Sequence, residues 1–99
     1  MILEIMSALI DLIQHCKNER ELKRLINDTF TESEIEMIEE RFHILHELDK
    51  GLSQRAVKDK LNVSIATVTR GAKVLKAGKS IVPKLMKRTT YFSEADDKK

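Results

Sequence analysis

The chain has 99 residues and a net charge of only +2, with 41% apolar and 4% aromatic side chains, one Pro and three Gly. That length supports one domain at most, and so few aromatics and turn formers suit an all-α protein rather than a β-sandwich. The lone cysteine, Cys16, excludes an internal disulfide framework and a Cys-based metal knuckle, and reads as a small buried apolar residue. No apolar run approaches the roughly 18 residues of a membrane span. Glu4 and Asp11 break up the N-terminal segment, which lacks the basic start of a signal peptide. A cytoplasmic protein is expected.

Charge is unevenly spread. Residues 1–49 carry five Lys/Arg against twelve Asp/Glu, whereas residues 50–88 carry eleven against one. A basic half on an acidic body is the footprint of a nucleic-acid binder. The acidic half would repel DNA and so orient its approach.

Residues 2–16 are expected to form the first helix. Its apolar positions, among them Ile5, Leu9, Ile10, Leu12 and Ile13, make a stripe wider than a lone surface helix needs. A chain this short has little to cover such a helix, so a second subunit is expected against it. A central core helix in a monomer is the alternative. After a polar break at Lys17–Arg20, a second helix spans 19–28 with Leu22, Leu25 and Ile26 inward. Thr31 and Glu34 then form a capping box for a third helix. It runs to about Lys50, with Ile35, Ile38, Phe42, Leu45 and Leu48 as its stripe and Gly51 as its stop. His43 and His46 are three apart, but no third ligand stands at usable spacing, so no metal is expected.

The stretch Ser53–Lys76 reads as a helix-turn-helix. Ser53 and Ser64 are suited to cap its two helices. Val57 and Leu61 share a face of the first, and Ile65, Val68 and Leu75 supply apolar groups on the second. Asn62 stands where the turn needs a residue that tolerates the left-handed region, and Val63 tucks inward. Such a pair of helices places the second in a DNA major groove. Arg55, Lys58, Lys60, Arg70, Lys73 and Lys76 oppose one acid, Asp59.

Ala77-Gly78-Lys79 reads as a turn. Ser80 is expected to cap a last helix, 81–88, with Pro83 in its first turn. Residues 89–99 read as a frayed, solvated tail, although Tyr91 and Phe92 have the bulk to dock somewhere. Residues 1–88 are thus expected to form one helical domain for DNA binding and dimerisation. No paired-carboxylate, Ser/His/Asp, Cys/His or phosphate-loop signature is present, so an enzyme is not expected.

The chain resembles the tryptophan repressor family over about residues 22–78. The resemblance rests on Phe30-Thr31, Glu34, Arg41, Ile44 and Gly51, then Ser53-Gln54-Arg55, Lys58 and Leu61, then Ile65-Ala66-Thr67-Val68-Thr69-Arg70-Gly71 with Leu75-Lys76. Lys58 stands where a generic helix-turn-helix has a small residue, and the family has Lys there. The resemblance implies an intertwined, all-helical homodimer of about six helices per chain. It implies a repressor with L-tryptophan as co-repressor and no metal, binding a palindromic double-stranded operator. Arg41 and Arg70 would flank the indole, Arg70 would also face the ligand carboxylate, and Gly71 would allow close approach. Thr31 and the backbone near Asp28 and Phe30 would come from the other subunit. Two guanidinium planes suit an aromatic ring, and a carboxylate gains a charge-assisted bond. For DNA the resemblance implies Gln54, Arg55 and Lys58 on the first helix, Ile65, Ala66, Thr67, Thr69 and Lys73 on the second, and Lys76 on the backbone. Val74 falls at the ligand site where the family often has Ser, and the Gly51–Ser53 link is one residue shorter than a pattern common in the family. The alternative is a regulator of this fold with another ligand or none.

Overall fold

Helix starts follow from short polar side chains that accept orphan backbone N–H groups. The structure, a computed structural model, describes residues 6–92, and these hold six helices and no strand. They are α1 (Ser7–Gln14), α2 (Glu19–Thr29), α3 (Glu32–Asp49), α4 (Gln54–Leu61), α5 (Ile65–Lys76) and α6 (Val82–Arg88). Residues 2–5 of the expected first helix lie outside the described residues. The contacts group into two compact units, Met1–Glu36 and Met37–Lys99.

In the first unit, Asn18 caps α2 by accepting from the Glu21 N–H at 2.9 Å, and Glu21 in turn accepts from the Lys17 N–H at 2.9 Å. The polar break at 17–20 therefore contains a capping pair that the sequence reading did not assign. Leu9 and Ile13 of α1 face Leu25, Ile26 and Phe30 across a small apolar groove. Ile10, Leu12 and Ile13 are nevertheless 38%, 53% and 41% exposed within the single chain. Cys16 is half-buried rather than enclosed, and its thiol donates to the Leu12 carbonyl at 3.4 Å. The Thr31–Glu34 box forms as expected. The Glu34 N–H donates to Thr31 Oγ1 at 3.1 Å, and the Thr31 N–H donates to Glu34 Oε1 at 2.8 Å. The Thr31 N–H on the carboxylate, and after it the Thr31 hydroxyl, hold the Glu34 carboxyl below its ordinary value.

The second unit is built on Ile44 of α3, Val57 of α4 and Val68 of α5, all essentially inaccessible. Leu48, Leu52, Leu61 and Val63 pack around them. Burying each such side chain contributes about 1.5–3 kcal/mol. The end of α3 has the double back-bond of a helix stop. The Gly51 N–H donates to the Leu48 carbonyl at 3.0 Å and the Leu52 N–H to the Glu47 carbonyl at 3.3 Å. Gly51 takes φ +100°, which glycine adopts without a Cβ clash. Asn62 has φ 55° and ψ 52°, the left-handed geometry expected of it. Ser53 accepts from the Ala56 N–H at 3.1 Å and Ser64 from the Thr67 N–H at 3.2 Å. At α6 the cap shifts by one residue from the expectation. Ile81 occupies the cap position, while Ser80 Oγ still accepts from the Val82 N–H at 3.2 Å.

Beyond α6, Tyr91 and Phe92 dock on α3. The Phe92 ring lies 5.3 Å from that of His43 and 4.7 Å from that of His46, and the Tyr91 ring lies 5.9 Å from His43. The expected tail from residue 93 onward lies outside the described residues.

Two contacts on α3 carry testable consequences. A Cβ at Gly71 would meet Ile44 Cγ2 at 3.0 Å and Leu48 Cδ1 at 3.5 Å. Gly71→Ala gains about 1 kcal/mol of helix propensity, but overpacking a rigid core costs about 1–3 kcal/mol. The expected outcome in urea unfolding is a net loss of stability. Glu47 is buried, and its Oε1 lies 2.7 Å from Lys60 Nζ and 3.3 Å from Lys50 Nζ. Burial pushes its carboxyl up, but the hydrogen bonds and charges of Lys60 and Lys50 outweigh this and hold it below the ordinary 4.5. The stability this supplies is present above 4.5 and lost as pH falls through the lower folded value. Glu47→Gln is expected to lower stability at pH ~7, with the difference from the parent closing in acid. A pH-independent difference would deny the charge its role.

Candidate nucleic-acid interface and ligand cavity

Helices α4 and α5 are joined by the Asn62–Ser64 turn, and packing of Val57 against Val68 fixes them as a pair. Most of the sequence-predicted DNA residues fall on their outer surfaces, whereas Lys58, Thr67 and Thr69 are half-buried. Gln54 and Arg55 are exposed in the first turn of α4, and Ile65 and Ala66 in the first turn of α5. Ile65, also expected among the apolar groups of the second helix, is 46% exposed and leaves the core to Val68. Lys73 and Lys76 are exposed further along α5.

Four of these residues also have partners inside the chain. Thr69 Oγ1 donates to Gln54 Oε1 at 2.8 Å, tying the start of α4 to the middle of α5. With its carbonyl oxygen so engaged, the Gln54 amide retains its N–H groups as donors for a phosphate oxygen. Lys58 Nζ lies 3.5 Å from Asp59 Oδ1. Thr67 Oγ1 is 2.7 Å from Ser64 Oγ, so its hydroxyl belongs to the cap of α5.

The opposite side of α5 faces α3 across a cavity of about 200 Å³, lined by Arg41, Ile44, Leu45, Thr67, Arg70, Gly71 and Val74. Four of the residues expected at a ligand site, Arg41, Arg70, Gly71 and Val74, are thus brought together. Arg41 comes from α3 and the other three from α5. The sequence marks Leu45 only as an apolar helix position, and Ile44 as part of the family resemblance, with no ligand role for either. Their spacing of three and four after Arg41 puts them on the same face, which is the signal that assigns them to this wall. Thr67 was read only as a DNA residue. The Gly71 contact with Ile44 serves the approach of α5 to α3, beside any ligand. Phe30 and Thr31 belong to the first unit, where the Thr31 hydroxyl and N–H are engaged with Glu34.

The arrangement offers a guanidinium-flanked apolar recess behind a helix whose front is cationic and exposed. Such a recess suits a flat apolar group bearing a negative charge. Among the described residues no cluster of His, Cys, Asp and Glu has the geometry of a metal site. No helix among them is long and apolar enough to cross a membrane.

The comparisons with known proteins agree with this geometry. The family model described as Trp repressor protein matches residues 4–90. A Trp operon repressor homolog of Vibrio vulnificus is 39% identical over 69 residues, covering 69% of this chain and 68% of the relative. One of Vibrio cholerae is 38% identical over 69 residues, covering 69% and 67% respectively. One of Aliivibrio salmonicida is 36% identical over 72 residues, covering 72% and 67%. No solved structure gives a significant match. With six helices, no strand among the described residues, a helix-turn-helix and a match along nearly the whole described chain, this protein belongs to the Trp repressor family of DNA-binding regulators.

Proposed function

We propose that the protein is a dimeric, cytoplasmic transcriptional repressor that binds a palindromic DNA operator when L-tryptophan occupies the cavity between α3 and α5. The observation that carries this reading is the double use of α5. One side supplies Thr67, Arg70, Gly71 and Val74 to the cavity, and the other supplies exposed Ile65, Ala66 and Lys73. A ligand wedged behind the helix bears directly on how its front is presented. Arg41 and Arg70 would take the two faces of the indole, and Arg70 the carboxylate. Val74 makes the outer wall apolar, so polar contacts to the ammonium group would fall to the partner subunit near Phe30 and Thr31.

The dimer is supported by the apolar surface that one chain leaves open on α1, where Leu12 is 53% exposed. Covering it removes side chains from water at about 25 cal/mol per Å². A two-fold dimer presents two copies of α5 and so matches a site with the same symmetry. Short side chains such as Ala66 and Thr67 suit base contacts that pass through water.

The ligand is tested by its own fluorescence, because the chain contains no Trp. Light scattering is expected to give a dimer, and L-tryptophan titration one saturable site per subunit that Arg70→Ala abolishes. A monomer, or no binding up to millimolar ligand, would remove the co-repressor reading. It would leave a regulator of this family with another ligand or none. The DNA face is tested by salt titration. Lys58→Ala is expected to weaken binding to specific and random duplexes alike and to flatten the slope of log K against log salt by about one. An unchanged slope would take Lys58 off the phosphate surface.

A further inference from the structure

The contact between Glu47 and Lys60 belongs neither to the cavity nor to the exposed cationic surface. Glu47 lies three residues beyond Ile44 on α3 and is only 4% exposed. A carboxylate so far removed from water persists only with charged or hydrogen-bonding partners. Its Oε1 takes Lys60 Nζ at 2.7 Å and Lys50 Nζ at 3.3 Å. Lys60 is on α4, the first helix of the helix-turn-helix, three residues after Val57 and so toward the core side of that helix. The basic half of the chain therefore commits a lysine with the reach to meet phosphate to a contact with the acidic half.

The core of Ile44, Val57 and Val68 holds α4 against α3, but only one side chain of α4 is fully enclosed in it, and hydrophobic burial is itself non-directional. A charge-assisted hydrogen bond fixes both distance and direction. Reading base edges demands such orientation, whereas holding a phosphate backbone does not. We propose that Glu47 is a positioning residue for DNA reading, setting through Lys60 the angle at which α4 and α5 stand on α3. The inference rests on the DNA-binding function above. It makes the Glu47–Lys60 pair a determinant of sequence discrimination rather than of affinity for DNA in general.

The test uses the full chain, with and without L-tryptophan. A duplex is first selected from a random pool by the parent protein. Affinities for that duplex and for a scrambled one are then measured across a salt series. Glu47→Gln and Lys60→Met are each expected to lower the ratio of selected to scrambled affinity about tenfold. Glu47→Gln is expected to leave scrambled-duplex affinity equal or higher, since it removes an acid from beside two lysines. Lys60→Arg keeps the pair and is expected to keep the ratio. A lower melting temperature with an unchanged ratio in both disrupting variants would make the pair a brace for stability alone and overturn the proposal. If Glu47→Gln does not fold, Lys60→Met decides, because that side chain is 31% exposed. A parent protein that selects no duplex would overturn the functional reading itself, and this inference with it.

Discussion

The approach of α5 to α3 at Gly71 is the constraint on which the second unit depends. With no side chain at 71, α5 lies against Ile44, Leu45 and Leu48 closely enough that an added Cβ would press on Ile44 at 3.0 Å. That closeness lets Val68 reach the same core as Ile44 and Val57, so three helices share one small buried nucleus. It also sets the width of the recess beside it, where Arg70 and Arg41 stand. Core packing and cavity are therefore consequences of one interhelical distance. A chain of this size has no spare layer in which to separate them.

Charge is partitioned more finely than the count of residues implies. The helix-turn-helix carries six cations against one acid, but Lys60 is taken by buried Glu47 and Lys58 lies within 3.5 Å of Asp59. The remaining cations are placed by helix geometry, with Arg55 early in α4, Lys73 and Lys76 late in α5, and Arg70 at the cavity. Lysines in the last turns of α4 and α5 also complement the carbonyl ends of those helices.

Much of the fold was readable in the sequence because it is written in local chemistry. The Thr31–Glu34 box, the caps at Ser53 and Ser64, the left-handed Asn62 and the stop at Gly51 each involve residues within a few positions of one another. Their outcome depends little on the rest of the chain. The docking of Tyr91 and Phe92 on His43 and His46 joins residues nearly fifty positions apart, and no spacing rule announces it. The Glu47–Lys60 pair escaped for a related reason. Glu47 was one of many acids on α3, and only packing reveals that it faces inward. At the cavity, Arg41, Arg70 and Gly71 were assigned by resemblance, which carries residue roles that periodicity cannot. Ile44, Leu45 and Thr67 complete the wall, and the sequence assigned none of them to a ligand.

The aromatic cluster at the end of the described chain has an optical consequence. Tyr91 is the chain's only tyrosine, and no tryptophan accompanies it. Its hydroxyl lies 3.5 Å from His43 Nε2, and its ring packs edge-on against Phe92. Tyrosine emission from the unliganded protein thus has a single origin, at the point where the chain folds back onto α3. Release of that turn registers as a spectral change without any label. Were the ligand an indole, it would absorb where tyrosine emits, and Tyr91 would serve as the donor for energy transfer.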